Sequence, residues 1–185
     1  MKVLLIGDSC TDVYVYGDVK RLNPEAPVPI LEPKREQTSQ GMAWNVFNNL
    51  NAFGVDVDMV TNEETITKTR YIHETSNQQI LRLDEESEVT PLDDEVLDGE
   101  YDALVISDYN KGFLTIEKIS EVVNSFYGPV FIDTKKNHLP KLDAYVKINE
   151  HDYNNFKTAN ADLINKLFKI SFSQKILLEI YLKHN

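Results

Sequence analysis

The sequence predicts an α/β fold: a doubly wound parallel sheet with a small antiparallel β lid. Three observations carry that reading. Short apolar runs ending in polar residues alternate with amphipathic helical patterns along the chain, as expected of strands buried on both faces and joined by crossover helices. Half-exposed, alternating segments at 13–17, 28–33 and 66–84 interrupt that pattern and fit a second, smaller sheet. Within them, NPEAPVPILEP (23–33) sets four prolines around Val28, Ile30 and Leu31. Proline is tolerated at sheet edges and strand starts, so this stretch reads as an edge strand or extended arm of the lid.

Each element follows in order. KVLLIG (2–7) is an apolar run closed by Asp8, a buried strand, and VYVYG (13–17) alternates as a partly exposed one. Gly41 opens a helical pattern over 42–54, with Val46, Leu50 and Phe53 on one face and Gly54 as its stop. VDVDMV (55–60) is a strand. ITKTRYIHE (66–74) and QQILRLDEE (78–86) alternate around TSN and form an antiparallel hairpin. EVTPLDDEVLDG (88–99) reads as an acidic, short helical connection. YDALVISDY (101–109), GPVFIDTK (128–135) and AYVKIN (144–149) hold further buried strands. LTIEKISEVVNSF (114–126) is an amphipathic helix with Ile116, Ile119, Val122 and Val123 inward, and 150–159 is a further helix. In the last stretch, Leu163, Leu167 and Ile170 mark one helical face.

A chain of 185 residues suffices for one compact domain with a sizeable core. The net charge of −11 argues against nucleic acid or an anionic membrane as main partner, since both require a basic footprint. A phosphorylated small molecule stays open, because a few lysines and helix N-termini hold phosphate locally. Cys10 is the only cysteine, so no internal disulfide forms, and a reducing cytoplasm is expected. His73, His138, His151 and His184 lack metal-ligand spacing. The apolar run at the start is too short for a signal peptide, and no segment is long enough to span a membrane.

In doubly wound sheets, ligands sit at the carboxyl ends of the strands. Asp8, Asp12, Ser107, Asp108, Asp133, Lys135 and Asn149 fall at such ends. Taken singly, each is better read as a cap or turn residue. Together, carboxylates, a lysine and an amide from four strands describe a cleft.

A family resemblance then becomes specific. It is carried by GDSCTDVYVYGDVKRLNPEAPVPILEP (7–33), GMAWN (41–45), TITKTRYI (65–72), NQQILRLD (77–84), SDYNKG (107–112), VFIDTKK (130–136) and KINEHDY (147–153). In this order they resemble the ribokinase-like, PfkB-type carbohydrate kinases. They are most similar to the kinases of D-glycero-β-D-manno-heptose 7-phosphate, one half of the bifunctional enzymes of ADP-heptose synthesis. The resemblance covers roughly residues 2–155. It implies a core over 1–160, with lid strands at about 13–33 and 66–84, and an atypical tail over 161–185 in place of the nucleotide-binding end.

The resemblance also implies roles. Asp12 holds sugar hydroxyls, which a carboxylate does well because it accepts two hydrogen bonds. Gly41 lets backbone approach the sugar, and Asn45 reads a hydroxyl. On the lid, Lys68 and Arg82 answer a sugar that already carries phosphate. Arg70 shares that hairpin, where a merely solvated strand face is nearly as good a reading for it and for Lys68, and Asn77 and Gln78 add hydroxyl contacts. Asn149 and Asp152 organise magnesium indirectly near ATP phosphates, with Asp152 in place of the family's glutamate. Lys135 steers phosphate charge, and Lys111 shapes the cleft with Gly112. Lid strands with open edges also suit a homodimer.

Three departures stand against this. Gln40 replaces the first glycine of the family's Gly-Gly pair. Only TNEE (61–64) bridges a gap where family members carry a further helix–strand unit. The Gly-Ala-Gly-Asp run, which supplies the family's anion hole and catalytic base, is missing, so no catalytic residue is assigned. The expectation is a heptose 7-phosphate-type kinase shortened at its C-terminal end, by a truncated or frame-shifted gene or by a substitute helix covering the sheet edge. The alternative is an inactive sugar-phosphate-binding remnant or partner subunit.

Overall fold

The computed structural model describes residues 1–93, 99–147 and the backbone of 167–168. In chain order its elements are β1 Lys2–Gly7, β2 Ser9–Leu22, β3 Pro29–Met42, α1 Ala43–Ala52, β4 Asp56–Thr61, β5 Ile66–His73, β6 Gln78–Glu86, β7 Ala103–Asp108, α2 Ile116–Ser125, β8 Val130–Thr134, β9 Tyr145–Lys147 and β10 Leu167–Phe168. They fall into two compact units. One comprises Met1–Asp8, Met42–Glu63 and Glu88–Asn185, the other Ser9–Gly41 and Glu64–Ser87.

The first unit is built on a six-stranded sheet of order β10-β9-β8-β7-β1-β4, with every neighbouring pair parallel. Register explains why its strands are apolar throughout. Val3 lies opposite Ala103, and Leu5 opposite Val105, which in turn faces Phe131. These residues share one face and pack with Leu50, Val46 and Phe47 of α1. Leu4, Ile6, Leu104, Ile106 and Ile132 point to the other face, each at most 2% exposed. There Leu4 and Val122 of α2 line one cavity. A strand covered on both sides has no reason to alternate.

The helices follow local chemistry. Gly54 adopts φ 74°, a left-handed stop just past α1. Phe53, expected inward, is 64% exposed, because α1 ends at Ala52 and the residue at the cap turns off the packed face. Thr115 caps α2 by accepting the Lys118 N–H at 3.0 Å. Ile119, Val122 and Val123 are buried as expected, while Ile116 is only half-buried.

Residues 88–93 form no helix. Pro91 interrupts the run, and Leu92 N–H instead donates to the Phe113 carbonyl. The rest of that connection, 94–98, and the helix expected over 150–159 lie outside the described residues. So does the tail, except at β10, where Leu167 and Phe168 pair with β9 as strand rather than helix.

The second unit is a four-stranded sheet of order β3-β2-β5-β6. The expected strands are present, β2 and β3 longer than expected and β5 and β6 close to their expected bounds, and the sheet is mixed rather than antiparallel. β5 and β6 pair antiparallel, whereas β2 and β5 run parallel from Thr11↔Thr67 to Gly17↔His73. β2 and β5 are brought together from distant parts of the chain, so no tight turn dictates their sense. The proline stretch is part turn, part edge. Asn23 N–H donates to the Val28 carbonyl at 2.8 Å and closes the turn holding Pro24 and Pro27. Pro29 and Pro33 lie in β3, the edge strand, where a missing N–H is tolerated.

Candidate functional site

In the first unit, β1 is followed within the sheet by β4 on one side, while β7, β8 and β9 extend on the other. The order therefore reverses between β1 and β7, where open α/β sheets place ligands. Asp8 and Asp108 sit at those two strand ends, 0% and 2% exposed. Asp8 ties three segments together. Its N–H donates to the Ser107 carbonyl, its carbonyl accepts the N–H of Ala43 at the start of α1, and its Oδ2 accepts the Tyr109 N–H. Oδ1 is buried without a hydrogen-bond partner among the described residues. Burial raises the Asp8 pKa above the ordinary carboxylate value, the Tyr109 N–H opposes the rise, and the nearby Asp108 charge adds to it.

Asp108 is compensated where Asp8 is not. It accepts from Thr134 Oγ1, from the Asn110 N–H at 2.9 Å and from Lys136 Nζ at 3.1 Å. Lys136 Nζ also reaches Asn110 Oδ1 at 3.0 Å. The lysine turned into this cluster is thus Lys136. Lys135, the residue singled out from sequence, is exposed, and its backbone N–H donates to the Asp108 carbonyl. The missed signal was parity. Thr134 lies opposite Asp108, and Lys136, two residues on, continues on that side. Lys111 and Gly112 lie in the loop after β7, Gly112 with φ 110°. Asp133 pairs with Lys147 at 2.8 Å. Asn149 and Asp152 lie outside the described residues, and among the described residues no group of three or more His, Cys, Asp or Glu side chains could hold a metal. Asn45, in the first turn of α1, is exposed, and Trp44 beside it is half-buried against Phe47 in an edge-to-face contact.

Asp12 is not a strand-end residue of the parallel sheet. It lies inside β2 of the second unit, because the chain enters the second sheet at Ser9, two residues after β1 ends. Directly opposite Asp12 is Lys68, and opposite Lys68 is Asp84. The next row on that face reads Tyr14, Arg70, Arg82. Arg70 Nη1 reaches Asp12 Oδ1 at 2.6 Å, which raises the Arg70 pKa. Arg82 forks onto Asp84 at 2.7 and 2.8 Å. Lys68 is itself buried.

Gly41 completes the group. A Cβ there would collide with Asp12 Oδ2 and stand 2.8 Å from Cys10 Sγ. Its close approach is to the Asp12 carboxylate. Burial raises the Cys10 pKa, and the Asp12 charge adds to the rise. Asn77, with φ 52°, and Gln78 lie elsewhere, at the hairpin turn. Gln78 pairs with His73, five residues of strand beyond Lys68, about 17 Å away. The second unit therefore assembles Asp12, Gly41, Lys68 and Arg82 with Arg70, and leaves Asn77 and Gln78 apart.

A parallel sheet with a helix on each face, plus a separate mixed sheet in the same chain, is the ribokinase-like fold of the PfkB-type carbohydrate kinases. Solved structures agree on the fold. Phosphofructokinase-2 from Escherichia coli, in its tetrameric inhibited form, matches with TM-score 0.51 at 12% identity, over 99% of this chain and 70% of that one. Ribokinase from Arabidopsis thaliana complexed with ribose and ATP matches with TM-score 0.51 at 13% identity, over 89% and 67%. By sequence, the chain is similar to the bifunctional protein HldE. The Nitratiruptor sp. protein is 34% identical over 172 residues, 74% of this chain and 37% of the relative. That of Citrifermentans bemidjiense is 31% identical over 182 residues, 76% and 37%. The chain thus spans little more than a third of the length of these relatives. No family model matches it.

Proposed function

We propose that the chain is a carbohydrate kinase of heptose 7-phosphate type, which passes the γ-phosphoryl of ATP to a sugar hydroxyl. The observation that carries this reading is the carboxylate of Asp12, held against Gly41 on a sheet face that also presents Lys68, Arg70 and Arg82. A carboxylate beside the cations Lys68 and Arg82 suits a ligand with hydroxyls at one end and a phosphate at the other. Asn45 is assigned a further hydroxyl, and Lys111 and Lys135 the phosphate side. Sequence similarity to the bifunctional protein HldE supports the choice of sugar. The magnesium and ATP roles are assigned to Asn149 and Asp152, which lie outside the described residues. Among the described residues no helix is long and apolar enough to cross a membrane, and a cytoplasmic setting fits a substrate carrying phosphate.

A second reading is a sugar-phosphate-binding subunit without turnover, which the same carboxylate and cations would serve. Pairing of two copies through lid strands fits both readings, since Leu81 and Leu83 on β6 are 57% and 43% exposed.

Incubation with ATP and heptose 7-phosphate, read by ADP release and by thermal midpoint, separates the readings. ADP release abolished in Asp12→Ala is the kinase result. A raised midpoint without ADP marks the binding subunit. No response to the sugar phosphate in either measurement overturns both. Sedimentation of the same sample reports whether copies pair, and a monomer with or without ligand removes the dimer.

A further inference from the structure

We infer that Arg70 is a positioning residue for the Asp12 carboxylate: it holds Oδ1, so that Oδ2 on the Gly41 side is the oxygen offered to a ligand hydroxyl. This rests on the sugar-binding reading above.

The geometry supplies a clamp with two jaws. On one side, Arg70 Nη1 stands 2.6 Å from Asp12 Oδ1, a charge-assisted hydrogen bond. On the other, Oδ2 lies against Gly41, where a Cβ would strike it. The terminal torsion of an aspartate is soft, and an unclamped carboxylate samples a broad range of orientations. Caught between a guanidinium and a backbone, it keeps one. Preorganisation of that kind reduces what binding must spend on ordering.

Neighbouring charges explain why Arg70 turns to Asp12. Arg82 lies directly opposite Arg70, and like charges at such positions repel. Arg82 occupies Asp84 through a two-point fork. Tyr14 flanks Arg70 on its other side, with the guanidinium carbon 5.3 Å from the ring centroid. Asp12 lies within reach, on the diagonal of the strand pair. The two side chains are 22% and 17% exposed, so solvent screens this pair less than an open surface pair.

A double-mutant cycle tests the role. Titration calorimetry with heptose 7-phosphate is run on the native chain, Arg70→Gln, Arg70→Lys, Asp12→Asn and the Asp12→Asn/Arg70→Gln double variant, each with its thermal midpoint. We expect Arg70→Gln to weaken binding roughly tenfold and Arg70→Lys to recover part of that loss. The double variant should bind no worse than Asp12→Asn, because Arg70 acts through that carboxylate. Additive losses, or unchanged binding in Arg70→Gln, overturn the positioning role and leave the sugar reading standing. Absence of binding by the native chain overturns the sugar reading and the role with it.

Discussion

Asp8 and Asp18 carry the same side chain in different units and shift in opposite directions. Asp8, fully buried at the end of β1, is raised by loss of solvent. Asp18, in β2, is lowered to about 2 by hydrogen bonds from Lys20 and Lys34, whose ammonium groups stand 2.5 and 2.9 Å away. For these two carboxylates, burial decides the shift at the end of β1, and neighbouring ammonium groups decide it in β2. The first arrangement is rigid and costly to disturb. The second holds an almost buried carboxylate between two exposed ammonium groups, so charge rather than loss of solvent sets its shift.

Lys136 offers the sharpest way to break that contrast. Its side chain is 9% exposed and the side chain of its partner Asp108 is 0% exposed. Lys136→Met leaves a buried carboxylate with only Thr134 and the Asn110 N–H to hold it. The expected loss is about 3 kcal/mol, a fall in thermal midpoint of about 6–12 °C. Replacing both partners, as Asp108→Asn/Lys136→Met, should recover much of it, because the uncompensated charge is gone. A midpoint unchanged in the single variant would remove the distinction between the two units.

How far the sequence reveals these arrangements follows from what each depends on. The strands of the parallel sheet were legible because burial on both faces makes them uniformly apolar, as in KVLLIG. The hairpin over 66–86 was legible from its alternation and the TSN turn. The length of β3 was not, since KREQTSQ on an exposed edge strand has the composition of a loop. Nor was the parallel pairing of β2 with β5, which joins segments far apart in the chain. Among site residues, Asp12 and Gly41 were found through a motif, but their mutual contact depends on β2 and β3 lying side by side. Lys135 was preferred to Lys136 because a motif fixes position in sequence and says nothing of which neighbour turns inward.

The acid shifts give a prediction of intermediate size, in pH rather than in temperature. Asp8 has a folded pKa above its ordinary value of 3.8. Its contribution is full below that value and is lost as pH rises through the raised one, since the folded state holds the proton longer. Asp18 has a folded pKa of about 2. Its contribution is present above the ordinary value and is lost as pH falls toward 2. Urea unfolding across pH should show Asp8→Asn flattening a decline on the neutral side and Asp18→Asn flattening one on the acid side. Both variants acting in the same window would show that burial does not separate the two carboxylates.

The smallest effect belongs to Arg82. It pairs with Asp84, two residues along the same strand, with side chains 41% and 38% exposed, so most of the attraction is screened by solvent. Arg82→Gln should change stability by less than about 1 kcal/mol, or roughly 2–4 °C in midpoint, and by less still at high salt. The bidentate geometry raises the value of such a pair, yet holding a long side chain in one rotamer costs entropy that offsets it. A loss as large as that of Lys136→Met would mean that Arg82 supports the sheet itself. It would then not be available to exchange Asp84 for a ligand phosphate.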